Sequence, residues 1–111
     1  MLYFVYELVD PRNNATGYVG ITNNPNKRYL EHIEERGGKG RKFEWIKRLQ
    51  GEQAQPKMKI LEIVDDLAQA RRLERYWVQY YLKKGSSLVN THLINSTTET
   101  IMGRSVAPKG C

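Results

Sequence analysis

Gly17-Tyr18-Val19-Gly20-Ile21-Thr22-Asn23-Asn24-Pro25-Asn26-Lys27-Arg28-Tyr29-Leu30-Glu31-His32 is the stretch that decides how this chain is read. Tyr18, Val19 and Ile21 suit a pleated strand, and Gly20 leaves room for another group to approach the backbone. Asn24 supplies a helix N-cap, and Pro25 a first helical residue whose φ is already set. A strand therefore passes through a tight connection into a helix. On that helix Arg28 and His32 lie four residues apart and share a face. A tyrosine at a strand end and a basic pair on the next helix point toward one cleft, which the rest of the chain is expected to build.

Upstream, residues 2–9 are dense in aromatic and β-branched side chains with weak alternation, which predicts a buried strand. Asp10-Pro11-Arg12-Asn13-Asn14 is a turn cluster. A second strand over 17–22 is expected to pair antiparallel with the first through a longish hairpin loop. Downstream, the first helix is expected over 25–36, with Tyr29, Leu30 and Ile33 as its core stripe and Arg28, His32 and Arg36 along the border. Gly37-Gly38-Lys39-Gly40 breaks it. A second helix over 41–50 is expected to bury Phe43, Ile46 and Leu49, with Trp45 at the edge. Residues 57–64 alternate and read as a third strand, with Met58, Ile60 and Glu62 on one face and Leu61 and Ile63 on the other. Asp66, with Gln69 three residues on, caps a third helix that stops at Gly85. The order strand, strand, helix, helix, strand, helix predicts an α+β domain: a small three-stranded antiparallel sheet flanked by helices. Residues 1–95 are assigned to that domain. Residues 96–111 hold few large apolar side chains and are expected to form a poorly ordered tail.

With 111 residues, 40% hydrophobic and 27% charged, the chain has the make-up of one globular domain with a single core. Its lone cysteine, Cys111, closes no internal disulfide, and no Cys/His set has zinc spacing. An internal disulfide is thereby excluded, and a structural zinc is not expected. A reducing compartment is expected, hence an intracellular location that is cytoplasmic or nucleoid-associated. No apolar run reaches membrane-spanning length and no basic-then-apolar leader opens the chain, so no membrane partner is expected. Met1 runs almost directly into a strand, which reads as a natural start. The net charge is +6, which favours a polyanionic partner, nucleic acid above all. Residues 27–48 carry eight Lys or Arg against four Glu, a local excess of +4. Arg36, Lys39, Arg41, Lys42, Lys47 and Arg48 are the candidates to follow a DNA backbone.

Glu74 is the most informative single residue. On the third helix it falls within an arc of about 100° shared with Leu67, Ala70, Trp77, Val78 and Tyr81. A carboxylate inside an apolar stripe is costly without a cation or hydrogen bonds to hold it. An arginine or a core tyrosine would satisfy it structurally; a metal-binding or catalytic role would use it chemically. Tyr6 and Tyr18, on adjacent strands, each read singly as packing. Arg28 and His32 each read singly as ordinary helix residues. Their convergence with Glu74 suits phosphodiester cleavage. A divalent ion on Glu74 would polarise the phosphoryl oxygen, and Arg28 would neutralise charge developing on the phosphate. A tyrosine would relay a proton from the attacking water, with His32 orienting or activating it.

This ordered set resembles the GIY-YIG nuclease superfamily. Phe4-Val5-Tyr6 stands where that family has its first tripeptide, and Tyr18-Val19-Gly20 where it has its second. Arg28, ten residues after Tyr18, resembles the family arginine. Glu74 looks like the metal-binding glutamate, and Asn90 in Leu88-Val89-Asn90-Thr91 like the late asparagine that supports the site. The resemblance spans residues 2–90. It implies a three-stranded antiparallel sheet with flanking helices and one divalent ion, Mg²⁺ or Mn²⁺, held chiefly by Glu74. It also implies hydrolysis of DNA by water with a tyrosine as general base. Tyr18 is assigned that role, with Tyr6 bonded to it and shaping the site. The Arg28-x-x-x-His32 pattern is similar to the homing-endonuclease branch. Phe4 replaces the usual first glycine, a packing change. Ile21-Thr22 stands where some relatives place a lysine that activates the base, which leaves His32, or a metal-bound water, to help. Homing and repair relatives usually carry separate DNA-binding modules, so the chain reads either as a stand-alone nuclease or as part of a longer protein, with a further DNA-binding domain or a dimer partner as candidates beside DNA itself. The alternative reading is a nucleic-acid-binding module of the same fold without turnover.

Overall fold

Asp10 closes the first turn. Its carbonyl accepts from the Asn14 N–H at 2.8 Å and its carboxylate accepts from the Arg12 backbone N–H at 2.9 Å. Asn14 takes φ 59°, a left-handed conformation that asparagine tolerates. The computed structural model describes residues 1–90, so the assignment of 96–111 to a tail lies outside the described residues. Its elements are β1 (Tyr3–Asp10), β2 (Ala15–Thr22), α1 (Pro25–Glu34), α2 (Arg41–Gly51), β3 (Lys57–Val64) and α3 (Leu67–Lys83). The strands form one antiparallel sheet in the order β2-β1-β3. The fold is thus the α+β arrangement read from the sequence.

β1 is central, and both of its faces are covered, which is why its sequence alternates so weakly. On one face Val5 and Val19 pack against Ala70 and Val78 of α3 and against Leu88 of the segment that follows. On the other, Tyr6 and Leu8 pack against Ile46 of α2, with Tyr18, Tyr29, Trp45 and Met58 around them. Two bulges set the register. Between Leu8 and Val9 the partners on β2 jump from Tyr18 to Thr16, leaving Gly17 unmatched. A Cβ at Gly17 would collide with the indole of Trp45, so the glycine lets α2 dock against the hairpin. Between Val5 and Tyr6 the partners on β3 jump from Glu62 to Ile60. The extra residue, Leu61, turns into the α3 side of the core.

Three sequence expectations change here. The bulge at Leu61 breaks the alternation assigned to β3: Met58 packs on the α2 side, whereas the Glu62 carboxylate accepts from the Trp77 indole on α3 at 3.2 Å. α1 ends at Glu34, two residues short of 36. Leu30, placed in its core stripe, is 48% exposed, while His32, placed on the border, is 2% exposed. An imidazole with both nitrogens hydrogen-bonded is buried at little cost, so His32 takes the inward position that apolar periodicity gave to Leu30. In α2, Ile46 and Leu49 are buried and Phe43 and Trp45 half-buried. Asp66 caps α3 as its sequence indicates, its carboxylate accepting from the Gln69 N–H at 3.1 Å.

Candidate active site

Tyr6 lies opposite Gly20, and Tyr18 opposite Leu8, so both tyrosines rise from the same face of the β1–β2 pair. Their ring centroids are 6.2 Å apart. Gly20 is the floor beneath them: a Cβ there would stand 2.7 Å from the Tyr6 hydroxyl and 2.9 Å from Cε2 of Tyr18. The Asn24 side chain accepts from the Lys27 N–H at 3.2 Å and starts α1, with Pro25 in the first turn. Arg28 and His32, one turn apart, thereby face the two rings.

His32 is the hub. Its Nε2 lies 2.7 Å from the Tyr6 hydroxyl and its Nδ1 3.2 Å from Nζ of Lys42. Its ring meets Tyr18 edge-on at 5.5 Å. Burial, reinforced by the positive charges of Lys42 and Arg28, pushes its pKa down to about 3, so the imidazole is neutral near pH 7. The Tyr6 hydroxyl thus bonds His32, a partner that the sequence did not indicate beside Tyr18. Burial also raises both phenols above the ordinary tyrosine range, and the guanidinium of Arg28 opposes that shift at each of them. Arg28 is held from its other side by Glu31 at 3.0 Å.

Glu74 comes from α3, and its negative charge is felt by both phenols. It is half-buried, and burial raises its pKa above the usual carboxylate range against the pull of Arg71 and Arg75. It forms no salt bridge or hydrogen bond among the described residues. Neither structural partner open to it, an arginine ion pair or a tyrosine bond, is made. Asn90 acts at one remove. Its amide oxygen accepts from the Val19 N–H at 3.0 Å and its amide nitrogen donates to the Val19 carbonyl at 2.5 Å. The Val89 N–H donates to the Gly17 carbonyl at 2.7 Å, so the segment after α3 covers the outer edge of β2 beside Tyr18.

The six cations assigned to DNA are not equivalent. Arg36 and Lys39 are exposed between α1 and α2. Lys47 lies over the ring of Phe43 at 5.4 Å. Arg41 donates to the Leu88 carbonyl at 3.0 Å and, with Trp45 and Arg48, lines a groove of about 670 Å³ at the hairpin end of the sheet. Lys84 completes the basic lining of that groove; sequence reading passed over it, because a lysine in the last turn of a helix is what the helix C-terminus ordinarily takes. Lys42 is half-buried and turned into the site, between His32 and Glu35.

Among the described residues no group of three or more His, Cys, Asp or Glu side chains could hold a metal. Mg²⁺ needs no such cage: it keeps several waters, takes one or two carboxylates and draws further ligands from substrate phosphate. Glu74, half-buried and without a salt bridge or hydrogen bond among the described residues, fits that requirement.

A family model described as the GIY-YIG catalytic domain matches residues 2–87. The chain belongs to the GIY-YIG family. The matched span holds Tyr6, Tyr18, Arg28, His32 and Glu74, with Asn90 just beyond it. No curated protein and no solved structure gives a significant match. GIY-YIG domains are nuclease domains, with DNA as substrate and in general a divalent metal as cofactor. Among the described residues, no helix of this GIY-YIG domain is long and apolar enough to cross a membrane.

Proposed function

We propose that this GIY-YIG domain is a DNA endonuclease that hydrolyses phosphodiester bonds with water, using a divalent ion at Glu74, Mg²⁺ or Mn²⁺, and Tyr18 as general base. The observation that carries the reading is Glu74, a half-buried carboxylate with no salt bridge or hydrogen bond among the described residues, whose field reaches two tyrosines. When bound, the ion supplies Lewis-acid polarisation of the phosphoryl oxygen and stabilises the leaving oxygen.

The chain's own residues divide the remaining work. Tyr18 is half-buried and keeps some exposure to water, whereas Tyr6 is wholly buried. Arg28 favours the Tyr18 phenolate and stands ready to neutralise charge on the phosphate. Neutral His32 holds Tyr6 in place behind Tyr18. Asn90 fixes the strand on which Tyr18 sits. Arg36, Lys39, Arg41, Lys47 and Arg48 offer a basic surface to the phosphate backbone, and Lys84 extends it along the groove. One such site cuts one strand per engagement, so a double-strand break takes a dimer or a second event. A further DNA-binding domain would supply target choice. DNA as substrate, with a lone cysteine, suits an intracellular site of action.

The test is nicking of supercoiled plasmid with Mg²⁺ or Mn²⁺, with and without chelator. Nicking that the chelator abolishes is the expected result. DNA retention at low salt with no nicking under either ion would overturn the reading in favour of a binding module.

A further inference from the structure

Lys42 has the charge of a DNA-surface residue but the position of a site residue. Its Nζ lies 3.2 Å from Nδ1 of His32, 3.6 Å from a Glu35 carboxylate oxygen and 5.8 Å from the centre of the Tyr18 ring. An ammonium has three donors and no acceptor. The nitrogen facing it must therefore carry a lone pair and no proton. A neutral imidazole keeps one N–H, so the proton belongs on Nε2. That N–H points at the Tyr6 oxygen, 2.7 Å away, and donates to it. The proton of Tyr6 must then leave on another side. Tyr6 is sealed between His32 and the Gly20 floor, and the ring of Tyr18 lies across that floor.

We propose that Lys42 is a positioning residue that holds His32 as its Nε2–H tautomer and so directs the hydrogen bonds of the Lys42–His32–Tyr6 row toward Tyr18. The proposal rests on Tyr18 being the base of the nuclease reaction. A phenol that receives a hydrogen bond gives up its own proton more easily, and bonds aligned head to tail reinforce one another. The charged and titratable groups around the row act in the same setting: Arg28 on α1, Glu35 just after it, Lys42 on α2, Glu74 on α3, and the two phenols on the sheet. Without Lys42 the imidazole is free to place its proton on Nδ1. Nε2 would then accept from Tyr6, and the Tyr6 proton would turn away from Tyr18.

The deciding experiment reads the tautomer directly. The chain has two histidines, so His92→Gln leaves His32 as the sole imidazole for ¹⁵N NMR. In that background Nε2 should carry the proton at neutral pH, Lys42→Arg should preserve the pattern, and Lys42→Met should lose it. A protonated Nδ1 with Lys42 in place overturns the proposal without any further variant, as does an unchanged pattern in Lys42→Met. In single-turnover cleavage Lys42→Met should be slower by about tenfold or more, a part of the roughly 10²–10⁴ that a positioned base contributes, with its alkaline optimum moved upward and Lys42→Arg restoring both. The tautomer is measured without DNA or metal. A protein that shows the expected tautomer yet fails to nick plasmid keeps the Lys42–His32 assignment and loses the nuclease reading. Nicking at full rate by Lys42→Met, with the tautomer changed, overturns the proposed influence on Tyr18 and leaves the nuclease reading intact.

Discussion

Asn90 clasps Val19 by both of its backbone groups, accepting from the N–H at 3.0 Å and donating to the carbonyl at 2.5 Å. β2 is an edge strand, so these groups have no neighbouring strand to pair with, and one side-chain amide replaces it. Asn90 is itself buried, as is Val19. Asn90→Ala leaves two buried backbone groups unpaired and should cost about 1–3 kcal/mol of stability. Asn90→Asp keeps the acceptor but sets a carboxylate oxygen against the Val19 carbonyl, and should be at least as damaging. Urea denaturation measures the first effect. Single-turnover nicking measures the second: because Tyr18 adjoins Val19, the rate should fall further than DNA affinity does.

Stability should depend on pH through His32. Its ordinary pKa is 6.5, and the fold holds it at about 3. Between those values the unfolded chain takes up a proton that the folded chain refuses. The stabilisation is complete above about pH 6.5 and is lost on acidification toward about 3, at up to roughly 1.4 kcal/mol per pH unit. Asp10, held low by Arg12, adds loss in the same direction below the ordinary aspartate value of 3.8. Glu74, held high, acts in the opposite sense above its ordinary 4.5. Urea midpoints from about pH 7 to about pH 5 should therefore fall in the wild type and stay flatter in His32→Gln. Parallel profiles for the two would mean that the imidazole takes up its proton in the folded state.

What the sequence made legible was local. β3 over Lys57–Val64, the Asp66 cap and the start of α1 at Pro25 follow from side chains a few residues apart, and they stand where they were read. The bulges at Gly17 and Leu61 were not legible, because register is set by strands far apart in the chain. The exchange of Leu30 for His32 failed for a related reason. Periodicity counts a histidine as polar, but the groups that satisfy this one, Tyr6 and Lys42, lie 26 and 10 residues away. Glu74 was legible as an anomaly because a carboxylate in an apolar stripe needs a cause. The inward turn of Lys42 carried no sequence signal, since a lysine in a basic run looks like any other.

Glu74→Gln keeps the shape of the side chain and removes its charge. Nicking should be lost, while DNA retention at low salt should persist because the basic surface is untouched. Thermal stability should hold or rise, since burial already disfavours the charged form. Near-normal nicking by Glu74→Gln would remove this residue from metal binding.

Tyr18 and Tyr6 separate rate from stability. Tyr18 is half-buried, and its hydroxyl is not the one bonded to the His32 imidazole. Tyr18→Phe should therefore fold with near-wild-type stability and lose about 10²–10⁴ in single-turnover rate, the range of a positioned general base. Tyr6 is wholly buried and bonded to His32 at 2.7 Å. Tyr6→Phe strands a buried imidazole nitrogen, so it should lose about 1–3 kcal/mol of stability. Its rate should fall less than that of Tyr18→Phe, because the lost hydroxyl supports the base and does not meet the water. Both variants should bind DNA nearly as well as the wild type. Single-turnover rates at saturating enzyme from pH 6 to about 9, beside urea denaturation of each variant, decide the matter. A larger rate loss in Tyr6→Phe would move the base to β1. Full rates in both would make the tyrosines packing alone and remove the phenols from the general-base role.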